Sequence, residues 1–72
     1  MKKSCKIEVE CANCAKKMER AAAEVEGVEA VAINYLLQKI VVEIGEGHDA
    51  RAVMAEVQRR CRRIEPDCTI AY

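Results

Sequence analysis

Residues 10–15 are Glu10-Cys11-Ala12-Asn13-Cys14-Ala15, and a strand pattern changes into a helix pattern within this stretch. Two thiols at this spacing can bind one metal ion when the first lies on a loop and the second on the opening turn of a helix. Free N–H groups and the positive end of the helix dipole stabilise a thiolate, so we expect Cys14 in particular to be more acidic than an ordinary cysteine. The same spacing also occurs in redox dithiols, so the rest of the sequence must distinguish the two chemistries.

The sequence on either side of the thiol motif has clear periodicity. Residues 5–10 alternate between apolar and polar types, which predicts a half-buried strand with Cys5 on its inward, buried side. Residues 13–26 have apolar side chains at steps of three and four, which predicts an amphipathic helix that is closed by Gly27. Met18 lies on the apolar side of that helix and is expected to pack in the core rather than act as a sulfur ligand.

The second half of the chain repeats this arrangement. Alternation predicts strands over residues 28–36, 39–44 and 68–72. Between the last two strands, Asp49 suits the N-cap of a second amphipathic helix, which ends before Pro66 because proline cannot continue a helix.

The order βαββαβ predicts an α+β protein with the ferredoxin-like fold, in which two helices cover one face of a four-stranded antiparallel sheet. The 72 residues make a single domain, residues 1–72. In this topology the thiol motif, the turn at Tyr35 and the link from Cys61 to Cys68 lie at the same end of the sheet. Two further cysteines, Cys61 and Cys68, therefore lie at the same end as the first pair.

Composition excludes several classes of function. The 12 basic residues balance the 12 acidic ones, and the only aromatic residues are two tyrosines, so nucleic acid is not an expected partner. No apolar run approaches the roughly 20 residues needed to cross a bilayer. Five cysteines are an odd number and no signal peptide precedes them, which argues against a secreted disulfide scaffold. We expect a cytoplasmic protein that does not insert into a membrane.

The chain resembles heavy-metal-associated domains, the module of small copper chaperones and of the N-terminal regions of metal-transporting P-type ATPases. The resemblance implies that Cys11 and Cys14 bind the metal and that the turn into the fourth strand modulates binding. The last segment is similar to members at the front of bacterial zinc, cadmium and lead exporters. The resemblance covers nearly all of the chain and rests on residues 11–15, the helix exit Glu26-Gly27-Val28, residues 31–34 and residues 61–68.

Two positions favour a divalent metal over copper. Copper-binding members usually carry Met two residues before the first cysteine, where this chain has Val9, and Glu10 resembles the acidic residue of zinc-type domains. Copper(I) is satisfied by two thiolates, whereas zinc, cadmium and lead take three or four ligands, including carboxylate oxygens. We therefore predict that Glu10 and Cys68 complete the coordination of a divalent ion, with copper(I) as the alternative. Core packing stays open for Cys68 and is favoured for Cys61.

These observations favour a non-enzymatic metal-binding domain, most simply the N-terminal cytosolic domain of a heavy-metal-transporting P-type ATPase. Such a domain passes its ion by ligand exchange to a partner domain of the transporter or to a chaperone. The alternatives are a free-standing copper(I) metallochaperone, a thiol–disulfide redox protein, and an interaction module with incidental cysteines. The redox alternative is weakened because no aromatic residue precedes the motif and no proline lies inside it. We expect a monomer, with a metal-bridged dimer as the alternative.

Overall fold

The computed structural model describes all 72 residues and contains four strands and two helices in the predicted order. The sheet has the order β2-β3-β1-β4, and every neighbouring pair of strands is antiparallel. The α+β class and the ferredoxin-like fold are thereby confirmed. The elements are β1 (Lys2–Glu8), α1 (Ala12–Ala23), β2 (Val28–Asn34), β3 (Lys39–Ile44), α2 (Ala50–Ile64) and β4 (Thr69–Ala71).

The first strand begins earlier than predicted because pairing continues beyond the alternating apolar residues. Lys2 pairs with Glu43 across the sheet, although its side chain is exposed and gives no apolar signal in the sequence. The first helix ends earlier than predicted, at Ala23. The chain then leaves it through a turn in which Gly27 has a φ of +96°, a conformation that side chains with a Cβ rarely adopt.

The hydrophobic core lies between the two helices and one face of the sheet. Met18 and Cys61 are fully buried in it, as predicted, whereas Cys5 packs against it and is only half-buried. Cys5 is therefore less buried than its alternation indicates. Neither helix is long and apolar enough to cross a membrane. The helices contribute Ala15, Met18, Ala22, Val53, Met54, Val57 and Cys61, and the strands contribute Ile7, Ile40, Val42, Ile44 and Ile70.

Three connections meet at the end of the sheet that carries the thiol motif. The Tyr35 hydroxyl donates a hydrogen bond to the carbonyl oxygen of Glu10 at 3.2 Å. The N–H of Val9 donates to Oε1 of Gln38 at 2.9 Å. The N–H of Glu10 donates to both carboxylate oxygens of Glu65, at 3.2 Å each. The turn after β2 and the link between α2 and β4 therefore both contact the segment that leads into the motif, as the topology predicts.

Candidate metal centre

Cys11 and Cys14 lie at the start of α1, the first as the helix N-cap and the second in the opening turn. Cys11 has an extended backbone with φ −135° and ψ 127°, and its carbonyl oxygen accepts the N–H of Ala15 at 2.9 Å. Its Sγ atom accepts the N–H of Cys14 at 3.4 Å. The first thiol therefore lies on the loop and the second on the helix, as predicted, and both side chains are partly exposed.

The acidity of the two thiols is the reverse of the sequence prediction. The backbone N–H of Cys14, and after it the Cys14 thiol, donate to the Cys11 sulfur and lower the pKa of Cys11. The pKa of Cys14 is raised, first by that thiol hydrogen bond to Cys11 and then by burial. The expectation that Cys14 in particular is more acidic than an ordinary cysteine was wrong. The N-cap residue is the one whose side chain accepts from the first turn, and here that residue is Cys11.

The Glu65 carboxylate is a charged group near the thiols that the sequence did not single out. It accepts the N–H of Glu10, and its negative charge opposes ionisation of Cys11, Cys14 and Cys68, although hydrogen bonds keep the pKa of Cys11 and of Cys68 below the ordinary value. Glu65 therefore lies within Coulombic range of all three thiols. The predicted topology places residues 61–68 at the same end of the sheet as the motif. This was the feature of the sequence that could have indicated a carboxylate near the thiols. That link contains more than one acidic residue, and the sequence does not show which of them turns toward the thiols.

The structure places the two additional predicted ligands differently. The Glu10 side chain is exposed, while its backbone is fixed by hydrogen bonds to the neighbouring connections. The Cys68 side chain is fully buried and hydrogen-bonded to the Cys61 thiol, which, together with burial, raises the pKa of Cys61. No three His, Cys, Asp or Glu side chains are grouped so that they could hold a metal ion. The roles of Glu10 and Cys68 as ligands remain predictions.

Gln38 is a second residue at this site that the sequence did not indicate. It adopts a positive φ of 52° at the end of the β2–β3 turn, and its side chain reaches the loop that precedes the motif. Its amide nitrogen donates to the carbonyl oxygen of Tyr35 at 2.8 Å while its oxygen accepts from Val9. The Gln38 side chain therefore holds the thiol loop against the β2–β3 turn.

A partly exposed dithiol at the start of the first helix, on a ferredoxin-like sheet, defines a class of small thiol-bearing domains. The family model for the heavy-metal-associated domain matches residues 5–61, which include both cysteines of the motif. The chain belongs to the heavy-metal-associated domain family.

Relatives come from both transporters and chaperones. The chain is 26% identical over 62 residues to a cadmium, zinc and cobalt-transporting ATPase of Bacillus subtilis strain 168, covering 86% of this chain but only 9% of that protein. It superposes on the CopZ metallochaperone with a TM-score of 0.75 at 14% identity, covering 99% of this chain and all of that one. The N-terminal domain of a potential copper-translocating P-type ATPase from Bacillus subtilis gives a TM-score of 0.73 at 21% identity, covering 96% and 81%. At these sequence identities, the similarity to the two solved structures shows that they share the fold of this chain.

The lowered pKa of Cys11 predicts unequal alkylation of the two thiols. Only the thiolate reacts, so in the folded, metal-free protein Cys11 is expected to react with iodoacetamide at a lower pH than Cys14. Mass spectrometry of peptides after short pulses across a pH series measures both rates. The denatured protein is the control, because the two residues lose their hydrogen bonds there and should react alike. Faster alkylation of Cys14 in the folded protein would contradict the assignment of the lower pKa to Cys11.

Proposed function

We propose that this chain binds a soft heavy-metal ion between Cys11 and Cys14 and transfers it to a thiol-bearing partner. The observation that supports this most strongly is the pairing of the two sulfurs at the start of α1. The Cys14 N–H donates to the Cys11 sulfur at 3.4 Å, and such hydrogen bonds stabilise the thiolate that a metal requires. Its role is binding and transfer rather than catalysis.

Transfer requires a site that a partner can enter. Both cysteines are partly exposed, and two protein ligands leave coordination positions open on a metal that takes three or four. A thiolate of the partner can then join the coordination sphere before Cys11 or Cys14 leaves it, so no free ion is released. When the metal binds it displaces the proton that the Cys14 thiol donates to Cys11, so binding becomes tighter as the pH rises.

The charges around the site support a divalent ion. Two thiolates and the Glu65 carboxylate would place three negative charges in one region, and a zinc, cadmium or lead ion compensates them better than monovalent copper does. The Glu65 carboxylate lies within Coulombic range of both thiols, and we propose that its negative charge supports the binding of a divalent ion. Glu10 and Cys68 are the additional ligands that the sequence predicts. Copper(I), held by the two thiolates alone, is the alternative.

We propose that this chain is the cytosolic metal-binding domain of a heavy-metal-transporting P-type ATPase. The sequence similarity to the cadmium, zinc and cobalt-transporting ATPase supports this proposal. The partner would then be a thiol-bearing domain of the same transporter or a chaperone. A free-standing metallochaperone is the alternative, supported by the structural similarity to CopZ. The coding sequence distinguishes them: continuation past Tyr72 into membrane-spanning segments supports the transporter, and a stop codon there supports the chaperone.

Titration of the reduced protein with cadmium, zinc and copper(I) tests the proposed function. We expect sub-micromolar binding of one ion per chain, with thiolate-to-metal absorption and NMR shifts in residues 9–15 and 64–68. One ion per two chains would instead indicate the metal-bridged dimer. Absence of sub-micromolar binding of any of the three ions would contradict the proposal, and catalytic reduction of insulin disulfides without stoichiometric metal binding would favour the redox alternative.

A further inference from the structure

Cys61 and Cys68 make a second pair of cysteines, separate from the pair at the start of α1. Cys61 lies in the last turn of α2 and Cys68 directly precedes β4, and neither has any exposed surface. Their side chains are hydrogen-bonded to each other, with the Cys61 thiol donating to the Cys68 sulfur. The two side chains therefore lie close together in the buried core, and both are free thiols.

Backbone hydrogen bonds hold the segment between these cysteines in a closed form. The carbonyl oxygen of Cys61 accepts the N–H of Glu65 at 3.0 Å, and the carbonyl oxygen of Glu65 accepts the N–H of Cys68 at 2.9 Å. The Nε atom of Arg62 donates to the carbonyl oxygen of Cys68 at 2.8 Å, which joins the end of the helix to the start of the strand. The chain therefore brings the sulfurs together in the reduced state without needing a bond between them.

We propose that Cys61 and Cys68 are an oxidation site, at which a small peroxide converts the two thiols into an intrachain disulfide. Hydrogen peroxide oxidises one thiol to a sulfenic acid and releases one water. The second thiol then attacks that sulfur, the S–S bond forms, and a second water leaves. Two electrons and two protons pass from the thiols to the peroxide, so the step is balanced.

The surroundings favour a disulfide over a bound metal ion. Cys61 and Cys68 belong to the same buried apolar cluster as Val57 and Ile70, and no charged side chain is buried in that cluster. A metal site there would require two buried thiolates, whereas a disulfide is neutral and loses the polar S–H groups. Oxidation would also fix the turn that carries Glu65, and thereby the contact of Glu65 with the backbone of Glu10.

The test uses the full chain with Cys5→Ser, Cys11→Ser and Cys14→Ser, so that Cys61 and Cys68 are the only thiols left. After hydrogen peroxide treatment we expect a monomer that has lost two hydrogen atoms in mass and has no thiol open to alkylation in denaturant. Trypsin cleaves after Arg62 and Arg63, so the disulfide should leave two tryptic peptides joined until a reductant is added. The melting temperature should rise by roughly 5–10 °C on oxidation, because the closed loop restricts the unfolded chain.

Addition of Cys61→Ala to this background gives the matched control, in which the mass loss and the joined peptides should disappear. The proposal is overturned if peroxide leaves both thiols free, if it adds oxygen to them without joining them, or if it links separate chains. This outcome is independent of the proposed function, since the variant lacks Cys11 and Cys14. Protection of Cys68 in the wild-type protein by cadmium alone, with no disulfide under peroxide, would instead support the sequence-predicted role of Cys68 as a ligand.

Discussion

Replacement of both motif cysteines, Cys11→Ser with Cys14→Ser, is expected to lower the affinity for cadmium and copper(I) at least about 1,000-fold. Serine is nearly the same size, but its hydroxyl does not ionise at neutral pH and is a poor ligand for a soft ion. Serine is also a good helix N-cap, so position 11 should keep its hydrogen bond to the first turn. Competition with a chromogenic chelator measures the loss, and circular dichroism shows whether the fold is kept.

The matched control for this double variant is Cys5→Ser. Cys5 is half-buried on β1, where its cross-strand partner is Ile40 of β3. Cys5→Ser should therefore leave the metal affinity within about twofold of the wild type, at some cost in stability. If the double variant kept its affinity, the metal site would have to be sought among the other cysteines.

Glu65→Gln is expected to weaken cadmium and zinc binding by about 10- to 100-fold while changing copper(I) affinity less. The substitution removes the negative charge that lies within Coulombic range of both motif thiols. It keeps an oxygen that can still accept the N–H of Glu10, so the loop should stay in place. A divalent ion depends on that charge more than copper(I) does, because two thiolates already satisfy copper(I). Parallel titrations of the wild type and the variant with the three ions measure the difference.

Two further variants show which carboxylate contributes most to the affinity for divalent ions. Glu10→Gln tests the residue that the sequence predicts as a ligand, and Asp67→Asn removes an exposed charge from the same link without the contact to Glu10. We expect the divalent affinity to fall most with Glu65→Gln. A larger fall with Glu10→Gln would assign the oxygen ligand to Glu10, and equal falls in all three variants would indicate only a general effect of negative charge.

The fold could be predicted from the sequence because its local signals agree with one another. The helical spacing of apolar residues, the Asp49 cap and the stop at Pro66 define α2 almost to the residue. The order of strands and helices then leaves few topologies, and the ferredoxin-like one places Tyr35 and the link after α2 beside the thiol motif. The Tyr35 hydroxyl donates to the carbonyl oxygen of Glu10, and the N–H of Glu10 donates to the Glu65 carboxylate. These two hydrogen bonds confirm the arrangement.

Other features of the site depend on atomic contacts that a sequence pattern does not contain. Which thiol is the more acidic depends on which one accepts hydrogen bonds, and here the N-cap position gives that role to Cys11. The proximity of Glu65 depends on the direction of one side chain in a short turn. Cys68 alternates like a core residue and also lies at the correct end for a ligand, and only the structure shows its contact with Cys61.

The most direct measurement of the metal site is X-ray absorption spectroscopy of the reduced protein loaded with one equivalent of cadmium, compared with the Cys5→Ser variant. We predict two sulfur neighbours from Cys11 and Cys14, with oxygen completing the coordination sphere, and the same spectrum in the variant. Three sulfur neighbours would add Cys68 to the site, as the sequence predicts. A sphere of oxygen and nitrogen with no sulfur would contradict the claim that this dithiol holds the metal.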